Sequence, residues 1–419
     1  LQRLTNTVKD SAWGAISGIP ELLGQEPDGT PAAELWVGAH PGAPSRVGDR
    51  GLDELIAADP ERLLGRESRA RFGDRLPFLL KVLSAGTALS IQSHPSLQQA
   101  LDGFAAEEAA GIPLDAPHRS YRDAWHKPEL IHALGDFHAL CGFRSVPAIL
   151  ATLERFDAAL RRDGATEDVR DALAAWRSAL TGAEETTALR DAVALVLGST
   201  DRFGALADAL AAALADPASG RVGEDDASHA GSSTDPVETL LEVQEDFPHD
   251  PGVLVTVMLR RVLLREGESL ALDSGVLHAY LKGLGVEIMA ASDNVLRGGL
   301  TSKHIDVPEL IRAARFDTRA PEVLAVDERS EVRGTTDDFV LTVLTEEQGR
   351  ALTRPGPLAL LCTSGSFMLD TGDETLRLEH GEAVFVGADE PRPSVTGAGD
   401  LFIASAALPP VTAAAAPER

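Results

Sequence analysis

Residues 267–278 read Gly-Glu-Ser-Leu-Ala-Leu-Asp-Ser-Gly-Val-Leu-His, and residues 381–392 read Gly-Glu-Ala-Val-Phe-Val-Gly-Ala-Asp-Glu-Pro-Arg. Each begins with a Gly-Glu turn, runs through a short apolar strand and reaches a second turn, which is how a β-jelly-roll hairpin is written. Two such hairpins in one chain predict two β domains. The first copy ends in His278, a metal-ligand type, and the second in Arg392, so only the first is equipped to bind a metal.

Outward from these hairpins, strands are expected along VLVTVMLRRVLL, SLALDSGVLHAYL, VLTVLTE, LALLCTSGSFML, ETLRLEHGEAVFVGA and LFIASAAL. The early chain, from about Leu35 to Ile91, is also β-rich with some helix between its apolar runs. Around residues 96–116 and 146–216 the pattern changes to Ala, Leu and charge at helical spacing. Residues 217–236 carry almost no large apolar side chain and are expected to form a mobile surface loop. The expected organisation is mainly β with a helical insert. It places a first β part at 1–145, the helical insert at 146–250, the rest of the first β domain at 251–334 and a second β domain without metal at 335–419.

The chain has 419 residues, 44% of them hydrophobic and 25% charged, enough for two or three packed domains. No apolar run approaches the roughly 20 residues of a membrane span, and LQRLTNTVKD lacks a signal-peptide pattern, so a cytoplasmic protein is expected. Cys141 and Cys362 form no C-x-x-C pair and are expected as reduced, buried thiols. A formal charge of −27, from 65 acidic and 38 basic residues, argues against nucleic acid and anionic membranes as partners. An anionic small substrate therefore needs a local cationic pocket.

Three segments carry candidate chemistry. In ALSIQSHP, Ser90, Gln92 and His94 fall at alternate positions and would share one face of a strand. In WHKPEL, Pro128 presses Lys127 toward extended geometry, so that Lys127 and Glu129 can point the same way. In GVLHAYLKGLGVE, His278 and Tyr280 alternate and Glu287 follows a Gly-rich turn; Asp293 and Arg297 come soon after. Each pattern alone also suits a solvated face, an ion pair or a plain loop. Together, Gln92, His94, Glu129 and His278 supply two imidazoles, a carboxylate and an amide oxygen, a thiolate-free set typical of catalytic rather than structural zinc. Spacing does not by itself bring such dispersed ligands together. The other histidines, His40 and His126 among them, are expected to be structural.

The strings AELWVGAHP, LPFLLKVLSAGTALSIQSHP, HKPEL, ALCGFR, LHAYL and GVEIMAASDNVLRGGLTSKHIDV, in that order over residues 33–307, resemble the motifs of the type I mannose-6-phosphate isomerase family. The resemblance implies cupin-type jelly-roll domains and one zinc ion per chain on Gln92, His94, Glu129 and His278. It further implies that Lys81 and Ser90 hold the substrate phosphate, and that Lys127, Tyr280, Glu287, Asp293 and Arg297 line the sugar site. The paired glycine after Arg297, where many relatives have Ala-Gly, is a small departure.

The implied reaction interconverts mannose 6-phosphate and fructose 6-phosphate through an enediol, with zinc and Arg297 stabilising developing charge. Glu287 is the favoured base among Glu287, Asp293, Lys127 and a zinc-bound water. Lys81 sits in the apolar run PFLLKVL, where a lysine without a partner would call for an anionic ligand. A monomer is expected. A non-catalytic sugar- or metal-binding cupin would need the ligands without Lys127, Glu287 and Arg297, and a zinc hydrolase would not account for the ordered motifs.

Overall fold

The computed structural model describes residues 1–182, 184–215 and 234–409. Most of the expected loop at 217–236 lies outside the described residues, apart from its last positions, where Pro236 already opens the helix Pro236–Asp246.

Two antiparallel sheet systems dominate, one of eleven strands and one of seven among the described residues. In the larger, the strands Ser269–Leu272, Glu129–Ala133, His278–Ala290, Phe78–Ala85 and Glu34–Val37 lie side by side in that order. The long strand His278–Ala290 serves two layers. Its first residues pair with Gln92 and with Phe137–Phe143, and its later ones with Phe78–Ala85 and Glu129–Ala133. The change of partners falls at Gly283, whose φ is 129°. A Cβ there would lie 2.7 Å from Phe137 Cδ2 and 2.8 Å from the Asp136 carbonyl oxygen, so the corner needs glycine.

The hairpin echo is structural. Gly267 and Gly381 both take positive φ, 85° and 82°. Gly267 N–H donates to Ala133 O and Ala133 N–H to Glu268 O, while Gly381 N–H donates to Cys362 O and Cys362 N–H to Glu382 O. Arg392 spends its guanidinium on backbone carbonyls, donating to Gly387 O at 3.2 Å and Ala388 O at 3.3 Å.

The two sheets share one core. Alternate residues Leu80, Val82, Leu130, Val286 and Ile288 on the outer face of the first sheet pack with Leu341, Ala359, Leu361, Phe385, Phe402 and Ala404 of the second. The opposite face of the same strands is therefore free to build a cavity. Beside it, helices Val146–Asp163, Glu167–Ala179, Glu185–Gly198 and Thr200–Leu214 form a separate apolar core around Phe156, Trp176 and Phe203.

One expected strand is wrong. The first half of VLVTVMLRRVLL is the helix Gly252–Met258, and the strand starts only at Leu259. Its valines and threonine favour strands intrinsically, but all seven residues are buried among the helices, and packing overrides that weak preference. Asp250 starts the helix by accepting the Gly252 N–H at 2.7 Å.

Candidate active site and metal centre

Register decides which side chains meet. Trp36 and Glu287 both stand opposite Lys81, and Glu129 stands opposite Met289. Opposed residues project from one face, so Glu34, Trp36, Lys81, Glu129 and Glu287 all line a cavity of about 670 Å³. Ser90, Gln92, Lys127, Tyr280, Asp293 and Arg297 line it too. His94 and His278 lie buried at its edge. The regular strand around the Q-x-H motif is short, only Gln92–Ser93, so Ser90 and His94 reach their places from irregular backbone rather than from one strand face.

His94 Nε2 lies 3.2 Å from Glu129 Oε1, and His278 Nε2 lies 3.4 Å from Glu129 Oε2. Each ring is oriented from behind: Nδ1 of His94 meets the Asn294 carbonyl oxygen at 2.8 Å, and Nδ1 of His278 meets that of Val276 at 2.9 Å. A carbonyl only accepts, so both Nδ1 atoms carry a proton, and in the neutral rings that bind metals both Nε2 atoms present bare lone pairs. Both Nε2 atoms are buried without a hydrogen-bond donor. Two lone pairs aimed at a carboxylate repel it, and a cation between them removes the conflict. Burial pushes the His94 imidazole down to about 4, keeping it a neutral donor. Burial alone would raise the Glu129 carboxyl, yet the Lys127 ammonium beside it holds it well below the ordinary range, ready as an anionic ligand. Gln92 stands opposite His278 in the ladder, on the same face. Among the described residues, His94, Glu129 and His278 form the one cluster of His, Cys, Asp or Glu donors close enough to hold a metal.

Deeper in the cavity, Lys81 Nζ lies 3.0 Å from Glu34 and 3.3 Å from Glu287. Despite its burial, these carboxylates raise its pKa and keep it charged. Lys81 is thus not without a protein partner: it is neutralised by two carboxylates, one of them Glu34, which sequence reading missed. Burial, then repulsion from Glu129, raises the Glu287 carboxyl above its usual range, and Tyr280 Oη donates to it at 3.0 Å. Burial and the same carboxylates push the Tyr280 phenol well above its ordinary value, so it stays a donor.

Toward the mouth, Arg297, Arg122 and Lys303 gather. Among the described residues none of their side chains has an ion-pair partner, although the chain carries 65 acidic residues. Burial, then mutual repulsion, lowers the pKa of Arg297 and Lys303. A cationic cluster left unpaired in so acidic a chain has the charge to receive an anion.

His40, expected to be structural, lines the cavity and pairs its Nε2 with Asp293 Oδ1 at 3.2 Å. Asn294 was also missed: besides holding His94, it donates through Nδ2 to Trp125 O at 2.8 Å and accepts from the Arg122 N–H at 2.7 Å. The available signal was position: Glu34, Trp36 and His40 lie in AELWVGAHP, and Asn294 and Lys303 in the string that also holds Arg297.

Residues 1–146 match the model of the phosphomannose isomerase type I catalytic domain. The chain is 34% identical over 414 residues to the mannose-6-phosphate isomerase of Escherichia coli, covering 96% of this chain and 98% of that one. It is 30% identical over 432 residues to the human mannose-6-phosphate isomerase, covering 92% and 93%. Among solved structures, the apo mannose 6-phosphate isomerase of Salmonella typhimurium superposes with a TM-score of 0.81 at 33% identity, over 97% of this chain and 99% of that one. A zinc-bound mannose 6-phosphate isomerase does so with a TM-score of 0.81 at 32% identity and the same coverage. With the site geometry and these full-length likenesses in agreement, the chain belongs to the type I phosphomannose isomerase family.

Proposed function

We propose that this chain is a zinc-dependent aldose–ketose isomerase that interconverts mannose 6-phosphate and fructose 6-phosphate. The observation that carries the reading is the pair of bare, buried Nε2 atoms facing Glu129 at the edge of a cavity with an unpaired cationic mouth. Gln92, His94, Glu129 and His278 would hold the zinc. Bound there, zinc supplies Lewis acidity toward the sugar's C1 and C2 oxygens.

The remaining work falls to the chain's own residues. Glu287 is the base that takes the C2 proton and returns it at C1; its raised pKa moves it toward the range where a general base is efficient near neutrality. Tyr280 orients that carboxylate, and Lys81 keeps it from sharing charge with Glu34. Lys127, 2.9 Å from Glu129, and Arg297, opposite Gln92 in the ladder, supply positive field for the enediolate oxygens. Asp293, held by His40, contacts the sugar hydroxyls.

Lys303 and Arg122 are better placed to carry the phosphate than Lys81, whose charge is already committed; Ser90 remains a candidate hydroxyl donor. The dianion acts as a handle that holds the sugar in the cavity through substrate and transition state alike. A cavity complete within one chain supports a monomeric working unit, and two buried free cysteines suit a reducing, cytoplasmic setting. No described helix is long and apolar enough to cross a membrane.

The direct test is fructose 6-phosphate formation from mannose 6-phosphate before chelation, after it, and after zinc is restored. Loss and recovery of turnover support the reading. Turnover indifferent to thorough chelation removes the metal from the reaction, and no turnover by a folded, zinc-loaded sample favours a binding protein.

A further inference from the structure

Asp338 lies at the entrance to the second sheet, directly before the strand Phe339–Ala351, and is buried. It is fixed there three times over. Its Oδ2 accepts from Thr336 Oγ1 at 3.2 Å, its N–H donates to the same hydroxyl at 3.1 Å, and its carbonyl accepts from the Ala407 N–H at 3.1 Å. The same Oδ2 pairs closely with His126 Nε2, across the boundary between the two sheets.

His126 does not line the active cavity. It faces a separate cleft of about 560 Å³ between the sheets, together with Phe72, Trp125 and Thr336. The next residue, Lys127, enters the active cavity. Residues 121–128 contain neither helix nor strand; the Pro128 carbonyl accepts from the Ala290 N–H at 3.1 Å, and upstream of it side-chain anchors set the path. At the upstream end Asp123 accepts from Ser292 Oγ at 2.9 Å and from the Asp293 N–H at 2.8 Å. In the middle the Arg75 guanidinium lies 4.1 Å from the Trp125 ring centroid. At the downstream end the anchor is His126 on Asp338, one residue before Lys127, and Pro128 narrows the backbone choices of Lys127.

We propose that Asp338 is a positioning residue for the isomerisation. Acting through His126, it fixes the backbone at Lys127 and aims that ammonium at the reacting end of the cavity. The second β domain, which carries no metal ligand among its described residues, thereby becomes a working part of the active site. This inference rests on the reading that Lys127 acts on the bound sugar. Glu129 is held independently, because the ladder pairs it with Leu272 on one side and Met289 on the other. Disturbing Asp338 should therefore disturb Lys127 and leave the Glu129 backbone in place, and because Lys127 pairs with Glu129 at 2.9 Å, any loss of zinc affinity should be no larger than in Lys127→Ala.

The experiment compares Asp338→Asn, His126→Gln, Lys127→Ala and the double variant Asp338→Asn/Lys127→Ala, all zinc-loaded. Asp338→Asn and His126→Gln are each expected to lower kcat about tenfold or more. KM should stay within about twofold. Zinc affinity, measured by competition with a chelator, should fall no further than in Lys127→Ala, and Asp338→Asn should add nothing once Lys127 is gone. A purely structural role would instead lower thermal stability and leave the kcat of the folded fraction intact. Parental kcat in Asp338→Asn while Lys127→Ala is crippled overturns the inference alone. Losses that multiply in the double variant, or a zinc affinity that falls below that of Lys127→Ala, overturn it as well. Parental turnover in Lys127→Ala removes the underlying reading of Lys127, and the inference with it. Should Asp338→Asn fail to fold, His126→Gln, whose side chain is partly exposed, carries the same comparisons.

Discussion

Tyr280 Oη donates to Glu287 Oε1 at 3.0 Å, and both side chains are almost completely buried. The bond favours the charged carboxylate, opposing the burial and the repulsion from Glu129 that raise its pKa. Tyr280→Phe removes that support, so the Glu287 pKa rises further and the acid limb of kcat/KM moves to higher pH. One hydrogen bond of about 1.4 kcal/mol corresponds to about one pH unit. A pH–rate profile of the zinc-loaded variant checks this; an unmoved limb means that Glu287 is not the group that must lose its proton. Glu287→Gln should keep substrate binding and lower turnover about 10²- to 10⁴-fold.

The two cationic environments predict different kinetic damage. Lys303 has no carboxylate partner among the described residues, whereas Lys81 has Glu34 and Glu287. Lys303→Ala should raise KM for mannose 6-phosphate by about tenfold or more, the worth of one charge-assisted hydrogen bond, with little change in kcat. Lys81→Ala should mainly lower kcat, because Glu34 and Glu287 are left facing each other and one takes up a proton. The opposite pattern, KM raised by Lys81→Ala and unmoved by Lys303→Ala, would return the phosphate to Lys81.

This division also marks how far the sequence was legible. The ligand types of Gln92, His94, Glu129 and His278 are readable because zinc chemistry restricts them, and the resemblance places them in order. The partners of Lys81 are not readable. Glu34 is 47 residues away, and only the register of the strand Glu34–Val37 against Phe78–Ala85 brings it into contact. Asn294 is invisible for a related reason: it acts through its backbone carbonyl on His94, a contact that leaves no residue-type signature. The helix Gly252–Met258 was misread because a wholly buried apolar run has no periodicity to separate helix from strand. Glycine spacing did carry fold information, as Gly267 and Gly381 make equivalent turns.

Metal removal should show in stability as well as turnover. The conflict between the bare Nε2 atoms and Glu129 exists only in the folded chain, so zinc binds the folded state in preference to the unfolded one. At a free zinc concentration about 100 times its Kd, the gain is roughly 3 kcal/mol. Denaturant midpoints with zinc and with chelator should differ accordingly, and His278→Ala should abolish the difference. His40→Ala, which removes a cavity residue but no ligand, should preserve it.

The joint between the sheets, away from the chemistry, holds a buried imidazole of its own. His132 on the strand Glu129–Ala133 is 4% exposed, its Nδ1 lies 2.8 Å from Ser269 Oγ, and its ring meets Phe402 of the second sheet edge-on at 5.2 Å. Burial pushes its pKa down to about 4, with Asp400 opposing weakly, against an unfolded value of 6.5. The unfolded chain therefore binds more protons between those limits. Stability contributed by neutral His132 is fully present above about pH 6.5, declines as pH falls toward about 4, and changes no further below that. The pKa difference corresponds to about 3 kcal/mol in all. In chelated protein, urea midpoints of the parent and of His132→Gln from pH 7 to pH 4 isolate this effect, because His94 titrates in both. The parent should lose stability faster than the variant across that window. Parallel curves would mean that the His132 ring takes its proton as readily in the folded chain as in the unfolded one.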